Sequence, residues 1–301
     1  MLTVNKINEG ILNTDEFIAA TEQGYHNKIF DAVDNIIRDK NKKIVLVAGP
    51  SASGKTTTSM FLCNEFKKRG VEATVVSLDN FYGLEEDMPR LPNGRADYET
   101  VYALDLKEVE RAFKEIIEKG KTDIPVFDFL NHTRSHERQI IDISNGGILI
   151  VEGLHAINPV IYENLPSESL FKIYISVNQS IYNNDGSVLL NSRQLRLIRR
   201  LCRDSVYRSS DAKNTLRLWT MVVEGEQKYL YHLKSTADLR FITLHDYEPC
   251  LFKNIALRLL ENLPADSENY EEAMYIKEAL LNFNSIETAS IPKTSLMQEF
   301  I

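Results

Sequence analysis

Short apolar runs rich in β-branched residues alternate along this chain with longer stretches of helical periodicity. The apolar runs are IVLVAG (44–49), ATVVSLD (73–79), GILIVEG (147–153), KIYISV (172–177) and LRFITL (239–244). Apolar positions recur every three or four residues over 25–37, 56–68, 106–118 and 193–206. Uninterrupted apolar runs are typical of strands buried on both faces of a parallel sheet. Strands that alternate with helices predict an α/β fold in which a parallel sheet is flanked by helices.

Helical periodicity continues after the last predicted strand. Leu251, Ile255, Leu259 and Leu263 lie four residues apart, and after a proline the pattern restarts over 273–283. This repeat predicts a pair of helices near the end of the chain. We therefore predict three parts, namely an N-terminal helical segment packed on the core (1–43), a central α/β domain (44–245) and a C-terminal helical extension (246–301).

The charge balance and the cysteine content bear on partners and location. The 43 acidic and 35 basic side chains leave a net charge of −8, which repels a polyphosphate backbone, so no nucleic-acid partner is expected. No apolar run approaches the ~18 residues of a membrane span, and the first residues include acids where a secretory signal has an apolar block. These features predict a cytoplasmic protein that does not bind membranes. Cys63, Cys202 and Cys250 lack metal-ligand spacing and predict reduced core thiols.

A phosphate-binding motif follows the first apolar run. The residues from 49 to 56 read GPSASGKT, which fits G-x-x-x-x-G-K-S/T between a predicted strand and a predicted helix. In such a P-loop the backbone N–H groups turn inward around phosphate, the lysine reaches the β and γ oxygens and the threonine binds Mg²⁺. The alternative is a glycine-rich turn without phosphate. The predicted nucleotide-binding residues are Gly49, Ser51, Ser53, Gly54, Lys55, Thr56 and Thr57.

Two carboxylates end predicted strands. Asp79 follows ATVVSL and Glu152 follows ILIV. In an open parallel sheet the carboxyl ends of the strands line the ligand crevice, so both are expected near the P-loop. Asp79 either accepts the proton of an attacking hydroxyl or caps the following turn. Glu152 either holds Mg²⁺, with Thr56, or merely ends its strand.

Seven arginines lie between Arg193 and Arg217. Arg196, Arg200 and Arg203 share one face of the predicted helix. The plain interpretation is a solvated helix face, but arginines beside a P-loop neutralise the transferring phosphoryl group. With the turn-rich loop at 180–187 before it, this helix predicts an arginine-rich lid that closes over ATP.

Histidines occur in a polar segment between the second and third predicted strands. His132 and His136 lie in FDFLNHTRSHE, which is too polar for a core strand. A single histidine is usually incidental, and His132 is either that or a residue in contact with a nucleobase.

Six ordered blocks carry a resemblance to a known family. They are GPSASGKTT (49–57), SLDNFY (77–82), DYETVYALDL (97–106), IPVFDFLNHTR (124–134), ILIVEGLHAIN (148–158) and RRLCRD (199–204). The sequence resembles the uridine/cytidine kinase and phosphoribulokinase group of P-loop kinases over roughly residues 44–245. Its flanks resemble a bacterial subgroup described as nucleoside or uridine kinases. The resemblance implies the P-loop NTPase fold and a kinase domain at 44–245.

The resemblance also implies a reaction. It implies phosphoryl transfer from ATP with Mg²⁺ to the 5′-hydroxyl of a nucleoside, with Asp79 as the base. Lys55 belongs to the catalytic set that this implies, and the lid arginines of the family map to Arg200, Arg203 and Arg208.

The same resemblance implies residues that bind the acceptor. Tyr82 would lie against the sugar, and Glu99 takes the place of a family aspartate that grips the ribose hydroxyls. Phe127 takes the place of a tyrosine that helps to read the pyrimidine edge, while the neighbouring histidine is retained as His132. Catalytic residues match the family better than base-reading residues do.

Other acceptors and other classes of protein remain as alternatives. A sugar phosphate, pantothenate or another hydroxyl compound could be the acceptor, provided that a second cationic site exists for an anionic one. A nucleotide-binding switch is disfavoured because no N-K-x-D motif is found, and an inactive scaffold because Lys55, Thr56, Asp79 and Glu152 are all present. The sequence leaves a homo-oligomer open.

Overall fold

A five-stranded parallel sheet lies at the centre of the computed structural model, which describes residues 1–91, 94–128, 131 and 133–301. Two smaller sheets accompany it. The strands in chain order are β1 (Leu2–Thr3), β2 (Ile44–Ala48), β3 (Ala73–Ser77), β4 (Lys121–Asp128), β5 (Thr133–Asp142), β6 (Ile148–Glu152), β7 (Leu170–Ser176), β8 (Ile181–Tyr182), β9 (Val188–Leu190) and β10 (Leu239–Ile242).

The strand order of the central sheet places the P-loop at its middle. Hydrogen bonding orders the strands β10, β7, β2, β6 and β3, all parallel. Strand β2 is fully buried, with Ile44 and Leu46 in one apolar cluster and Val45 and Val47 in the other, because successive side chains point to opposite faces. The chain continues from β2 to β3 on the β6 side of the sheet and later reaches β7 and β10 on the other side. Where the chain changes side in this way, a crevice opens at the carboxyl ends of the strands. The predicted α/β fold is confirmed.

Helices cover both faces of the sheet and begin and end at recognisable residues. Helix α4 starts at the Asp105 cap and ends at Gly120 with φ at 68°. Helix α6 starts at Asn191, which forms a reciprocal capping box with Gln194. No helix in the described part of the chain is long and apolar enough to cross a membrane. The helices are α1 (Val4–Ile11), α2 (Thr14–Arg38), α3 (Lys55–Lys68), α4 (Leu106–Lys119), α5 (Pro159–Tyr162), α6 (Ser192–Tyr207), α7 (Ala212–Tyr229), α8 (Glu248–Leu259) and α9 (Tyr270–Leu280).

The segment before α6 differs from its predicted form. A turn-rich loop is predicted at 180–187, but β8 and β9 form a hairpin there, and β8 pairs in parallel with β1 at the N-terminus. Ile181 is fully buried, so an apolar side chain within a polar segment joins the core. The segment at 180–187, which the sequence predicts as a loop of the lid, is therefore part of a small sheet rather than a free loop.

A further hairpin and a further helix are absent from the sequence prediction. Strands β4 and β5 form an antiparallel hairpin beside the central sheet, and most β5 side chains are exposed, which explains the polar composition of that segment. Helix α7 follows α6 and buries Leu216 and Trp219.

The chain beyond α9 packs back onto the P-loop. We call residues 291–301 the C-terminal tail. Leu296, Met297 and Phe300 are fully buried, and the Phe300 ring lies 5.0 Å from the Arg199 guanidinium carbon. A side chain on Gly54 would come within 2.8 Å of Leu296, so the tail lies directly on the phosphate loop. The predicted helical pair corresponds to α8 and α9, and the tail carries no periodicity that predicts this packing.

Candidate active site

The P-loop joins β2 to α3 and needs glycine at two positions. A Cβ on Gly49 would lie 2.3 Å from the Ile175 carbonyl oxygen, closer than real contacts allow. Gly54 has φ at 85°, a left-handed conformation that favours glycine. The Lys55 ammonium donates to the Pro50 carbonyl at 3.1 Å, which holds the lysine folded over the loop.

One cavity at the carboxyl edge of the sheet gathers most of the predicted site residues. Its volume is about 320 Å³. The predicted residues that line it are Ser51, Ser53, Gly54, Lys55, Thr56, Asp79, Tyr82, Glu99, Glu152, Arg200, Arg203 and Arg208. Gly49 lies beneath the loop and Thr57 on its outer side, while Phe127 is not among the described lining residues. His132 lies outside the described residues.

Asp79 lies in a 3₁₀ turn, Leu78–Phe81, directly after β3. The Ser77 hydroxyl caps this turn by accepting from the Asp79 N–H at 3.3 Å, so the cap is a serine and the aspartate side chain points into the cavity. Burial raises the pKa of Asp79 and the charges of Lys55 and Arg208 lower it, with a net rise. A carboxylate with a raised pKa binds a proton more readily, as a base requires.

Glu152 ends β6 and is itself buried. The Thr56 hydroxyl donates to its Oε1 at 3.3 Å. Burial raises the pKa of Glu152, while Lys55 opposes that rise. A hydroxyl and a carboxylate are the oxygen ligands that Mg²⁺ takes in phosphate sites, where water and phosphate complete its shell. The pair therefore fits Mg²⁺ in the presence of a nucleotide.

Asp204 on α6 forms ion pairs with the arginines that line the cavity. Its carboxylate lies 3.3 Å from Arg200 Nε, 2.8 Å from Arg203 Nη2 and 3.6 Å from Arg208 Nε. Arg200 also donates to the Ser51 hydroxyl at 2.8 Å. Three guanidinium groups beside the cavity thus share one carboxylate, and their excess positive charge favours an anionic ligand in the cavity.

The first half of α6 is fixed to the P-loop backbone. Arg196 donates to the Ser51 carbonyl at 2.9 Å and Arg199 to the Ala52 carbonyl at 3.2 Å. Both side chains are buried, and Arg199 pairs with the buried Glu248 at 2.6 Å. Among the described arginines, those that line the cavity are Arg200, Arg203 and Arg208. A lid made by this helix is therefore anchored to the P-loop at its first half.

We expect Arg199→Leu to lower the free energy of unfolding by about 3–5 kcal/mol, because it leaves the buried Glu248 carboxylate without its guanidinium partner. Arg193→Leu is the matched control on the same helix, since Arg193 pairs with Glu272 at the surface and should cost about 1 kcal/mol or less. Urea unfolding of both variants measures the difference. Equal losses would contradict a structural role for Arg199.

The predicted acceptor residues lie beyond Asp79. The Tyr82 hydroxyl donates to the Tyr98 carbonyl at 3.1 Å, and its ring lies 5.5 Å from that of Phe127. Phe127 is buried behind Tyr82 and contacts this ring. Glu99 lies beside Gly225, where the absence of a side chain lets α7 approach its carboxylate. Burial raises the pKa of Glu99.

Two further carboxylates border the P-loop and were not predicted from the sequence. Glu226 accepts from the Ser51 N–H at 2.6 Å and from Arg196 at 2.6 Å. Glu299 in the C-terminal tail accepts from the Thr57 hydroxyl at 2.6 Å. Both line the cavity. No motif or spacing marks either residue, because each reaches the P-loop from a distant element.

Comparisons with known proteins agree with this arrangement. A model of the Phosphoribulokinase / Uridine kinase family matches residues 44–248. The uridine kinase of Mycoplasma genitalium is 25% identical over 202 residues, which cover 67% of this chain and 85% of that protein. The uridine kinase of Saccharomyces cerevisiae is 27% identical over 185 residues, 60% of this chain but only 32% of the yeast protein.

Solved structures of the same kind also align with the chain. One, described as a possible uridine kinase from Bacillus stearothermophilus, has 16% identity and a TM-score of 0.45, and the match covers 66% of this chain and 88% of that one. Phosphoribulokinase from Rhodobacter spheroides has 20% identity and a TM-score of 0.45, with 67% and 70% covered.

Proposed function

The chain belongs to the phosphoribulokinase / uridine kinase family and is a phosphotransferase that acts on a hydroxyl acceptor, and we propose that it transfers the γ-phosphoryl group of ATP to the 5′-hydroxyl of a nucleoside. The observation that supports this most directly is the cavity that joins Lys55 and Asp79. It lies at the carboxyl edge of the sheet, where this fold binds ligands. The 5′-hydroxyl attacks the γ-phosphorus, the bond to the β–γ bridging oxygen breaks, and the hydroxyl proton passes to Asp79.

The residues of the cavity divide this work among them. The P-loop N–H groups and Lys55 would hold the phosphates, with Gly49, Ser51, Ser53, Gly54 and Thr57 shaping the loop. Arg200 and Arg203 would neutralise charge that develops on the transferring group. Thr56 and Glu152 would hold Mg²⁺, which supplies charge neutralisation at the phosphates when it is bound.

The charge of the acceptor end favours a neutral polyhydroxyl compound over a sugar phosphate. Glu99 borders this end near Tyr82. Carboxylates accept hydrogen bonds from ribose hydroxyls and repel a second phosphate group. Tyr82 offers a ring against the sugar, and Arg208 closes the cavity from the side of α6.

A screen of acceptors tests the proposed function. The purified protein is incubated with ATP, Mg²⁺ and one acceptor at a time, drawn from nucleosides, sugar phosphates and pantothenate, and ADP release is followed with a coupled assay. Product analysis should find a nucleoside 5′-monophosphate. Faster turnover of a sugar phosphate or pantothenate than of every nucleoside would contradict the proposal.

We expect weak discrimination among nucleobases. A tyrosine hydroxyl that reads a base edge rejects wrong bases strongly, whereas Phe127 offers only a ring packed behind Tyr82. Uridine and cytidine should therefore not be preferred over purine nucleosides by more than ~10³-fold in kcat/KM, a gap of ~4 kcal/mol. The measurement is the ratio of kcat/KM across uridine, cytidine, adenosine, guanosine and inosine, with Phe127→Tyr as the comparison. A larger wild-type preference would contradict this expectation.

A further inference from the structure

A second groove continues the cavity on the outer side of the P-loop. Its volume is about 610 Å³, and it opens between the end of α6 and the C-terminal tail. The cavity and the groove share four lining residues, Thr56, Arg203, Arg208 and Glu299. The other groove residues are Thr57, Phe61, Tyr207, Lys293, Ser295 and Gln298. The two therefore form one path that runs past the first turn of α3.

The order of the groups along this path indicates how a donor nucleotide would be oriented in it. Asp79 and Glu99 mark the acceptor end of the cavity, and Lys55 marks the position of the β and γ phosphates. Thr57, two residues further along the chain, lines the groove, whereas Asp79 and Glu99 line the cavity alone. A nucleoside triphosphate with its γ-phosphate toward Asp79 thus extends its ribose and base into the groove.

Glu299 stands where the cavity meets the groove. The Thr57 hydroxyl donates to Oε2 at 2.6 Å, which fixes the orientation of the carboxylate. Among the described residues Thr57 is the hydrogen-bond donor found for this group, so Oε1 is available to a ligand. Arg203 and Arg208 line the same junction and offset the negative charge.

The tail holds this carboxylate rigidly. The buried residues Leu296, Met297 and Phe300 flank Glu299 on both sides, and Ser295 donates to Glu22 on α2 at 2.6 Å. The Tyr207 hydroxyl donates to the Gln298 carbonyl at 3.1 Å. A carboxylate fixed in this way loses little conformational entropy when it binds a ligand.

We propose that Glu299 accepts hydrogen bonds from the ribose hydroxyls of the donor nucleotide, so that the C-terminal tail is a specificity-determining wall of the donor site. The inference rests on the proposed function, because it assumes a nucleoside triphosphate in the P-loop. A carboxylate accepts both vicinal hydroxyls of a ribose, as acidic residues do in dinucleotide sites. The donor is then read at its sugar by a segment outside the matched family region, which ends at residue 248.

Binding of two donors to the full chain tests this role. MgATP and the Mg²⁺ complex of 2′,3′-dideoxy-ATP are titrated calorimetrically into the wild type, Glu299→Gln and Glu299→Ala. The wild type should prefer ATP by about tenfold or more, because two hydrogen bonds to a charged group are lost with the dideoxy compound. Glu299→Ala should remove this preference by weakening ATP alone, and Glu299→Gln should retain part of it.

Glu287→Gln is the control, since Glu287 is an exposed acid near the tail and its loss changes the net charge equally. It should keep the wild-type ratio, and thermal unfolding should show that every variant is folded. An unchanged ratio in Glu299→Ala would overturn the proposal. Tighter binding of both nucleotides by Glu299→Ala would also overturn it, because the Glu299 carboxylate would then compete with the phosphates for the site.

The titration separates this proposal from the proposed function. It contains no acceptor, so it gives the same ratio whether or not a nucleoside is phosphorylated. Failure of the acceptor screen with a retained ATP preference would leave the role of Glu299 standing. Absence of ATP binding by the wild type would overturn both.

Discussion

Lys55→Ala should reduce phosphoryl transfer by about 10³-fold or more while the protein stays folded. The Lys55 ammonium donates within the P-loop to Pro50, and burial lowers its pKa while Glu152 and Glu226 oppose that shift. Without it the β and γ oxygens of ATP lose their main side-chain cation in the loop. ADP release at saturating acceptor measures the loss.

The control for this variant is Lys68→Ala at the other end of the same helix. Lys68 is largely exposed and pairs with Glu65 at 3.2 Å, so its loss should leave turnover within about twofold of wild type. Circular dichroism verifies that both variants are folded. If Lys55→Ala also kept turnover within about twofold, the assignment of residues 49–57 to phosphate binding would be wrong.

Asp79→Asn should lower kcat by ~10²-fold or more and leave the affinity for ATP nearly unchanged. Asparagine keeps the size of the side chain and removes the proton acceptor. Because burial raises the pKa of Asp79, the base becomes protonated at a higher pH than an exposed aspartate would. The wild-type kcat/KM should therefore fall as pH decreases through this raised pKa, and the fall should be absent in the variant.

The control for the base is Asp87→Asn, an exposed acid in the segment that follows. Its rate and pH profile should match those of the wild type. A full rate for Asp79→Asn would reduce that residue to a structural part of the turn after β3. The turn already has its cap in Ser77, so stability measurements on the same variant should show little change.

The P-loop and its strand could be predicted from the sequence because their residues are neighbours along the chain. The run 44–49 is uniformly apolar, and the glycines and the lysine of the loop have fixed spacing. Asp79 and Glu152 could be predicted for a related reason, since Glu152 ends one strand of the parallel sheet and Asp79 lies in the turn directly after another. Strand ends in such a sheet meet at one edge.

The rest of the site depends on contacts between distant residues that leave no local pattern. Glu226 reaches Ser51 across 175 positions and Glu299 reaches Thr57 across 242. The sequence also does not show which arginines are structural and which line the cavity. Arg199 and Arg200 are adjacent along the chain, yet Arg199 pairs with Glu248 and Arg200 faces the cavity. The sequence does not predict the hairpin of β8 and β9, because both strands are short and the turn between them is polar.

The packing of the tail on the P-loop also sets the order in which the protein matures during translation. Thr57 leaves the ribosome 242 residues before Glu299. At a synthesis rate of about 5–20 residues per second, that interval is roughly 12–50 seconds. Throughout it, Gly54 lacks the Leu296 side chain that covers it in the folded chain. Nascent chains and prematurely terminated products that stop short of the tail therefore carry the complete phosphate motif without the residues that pack on it in the folded protein.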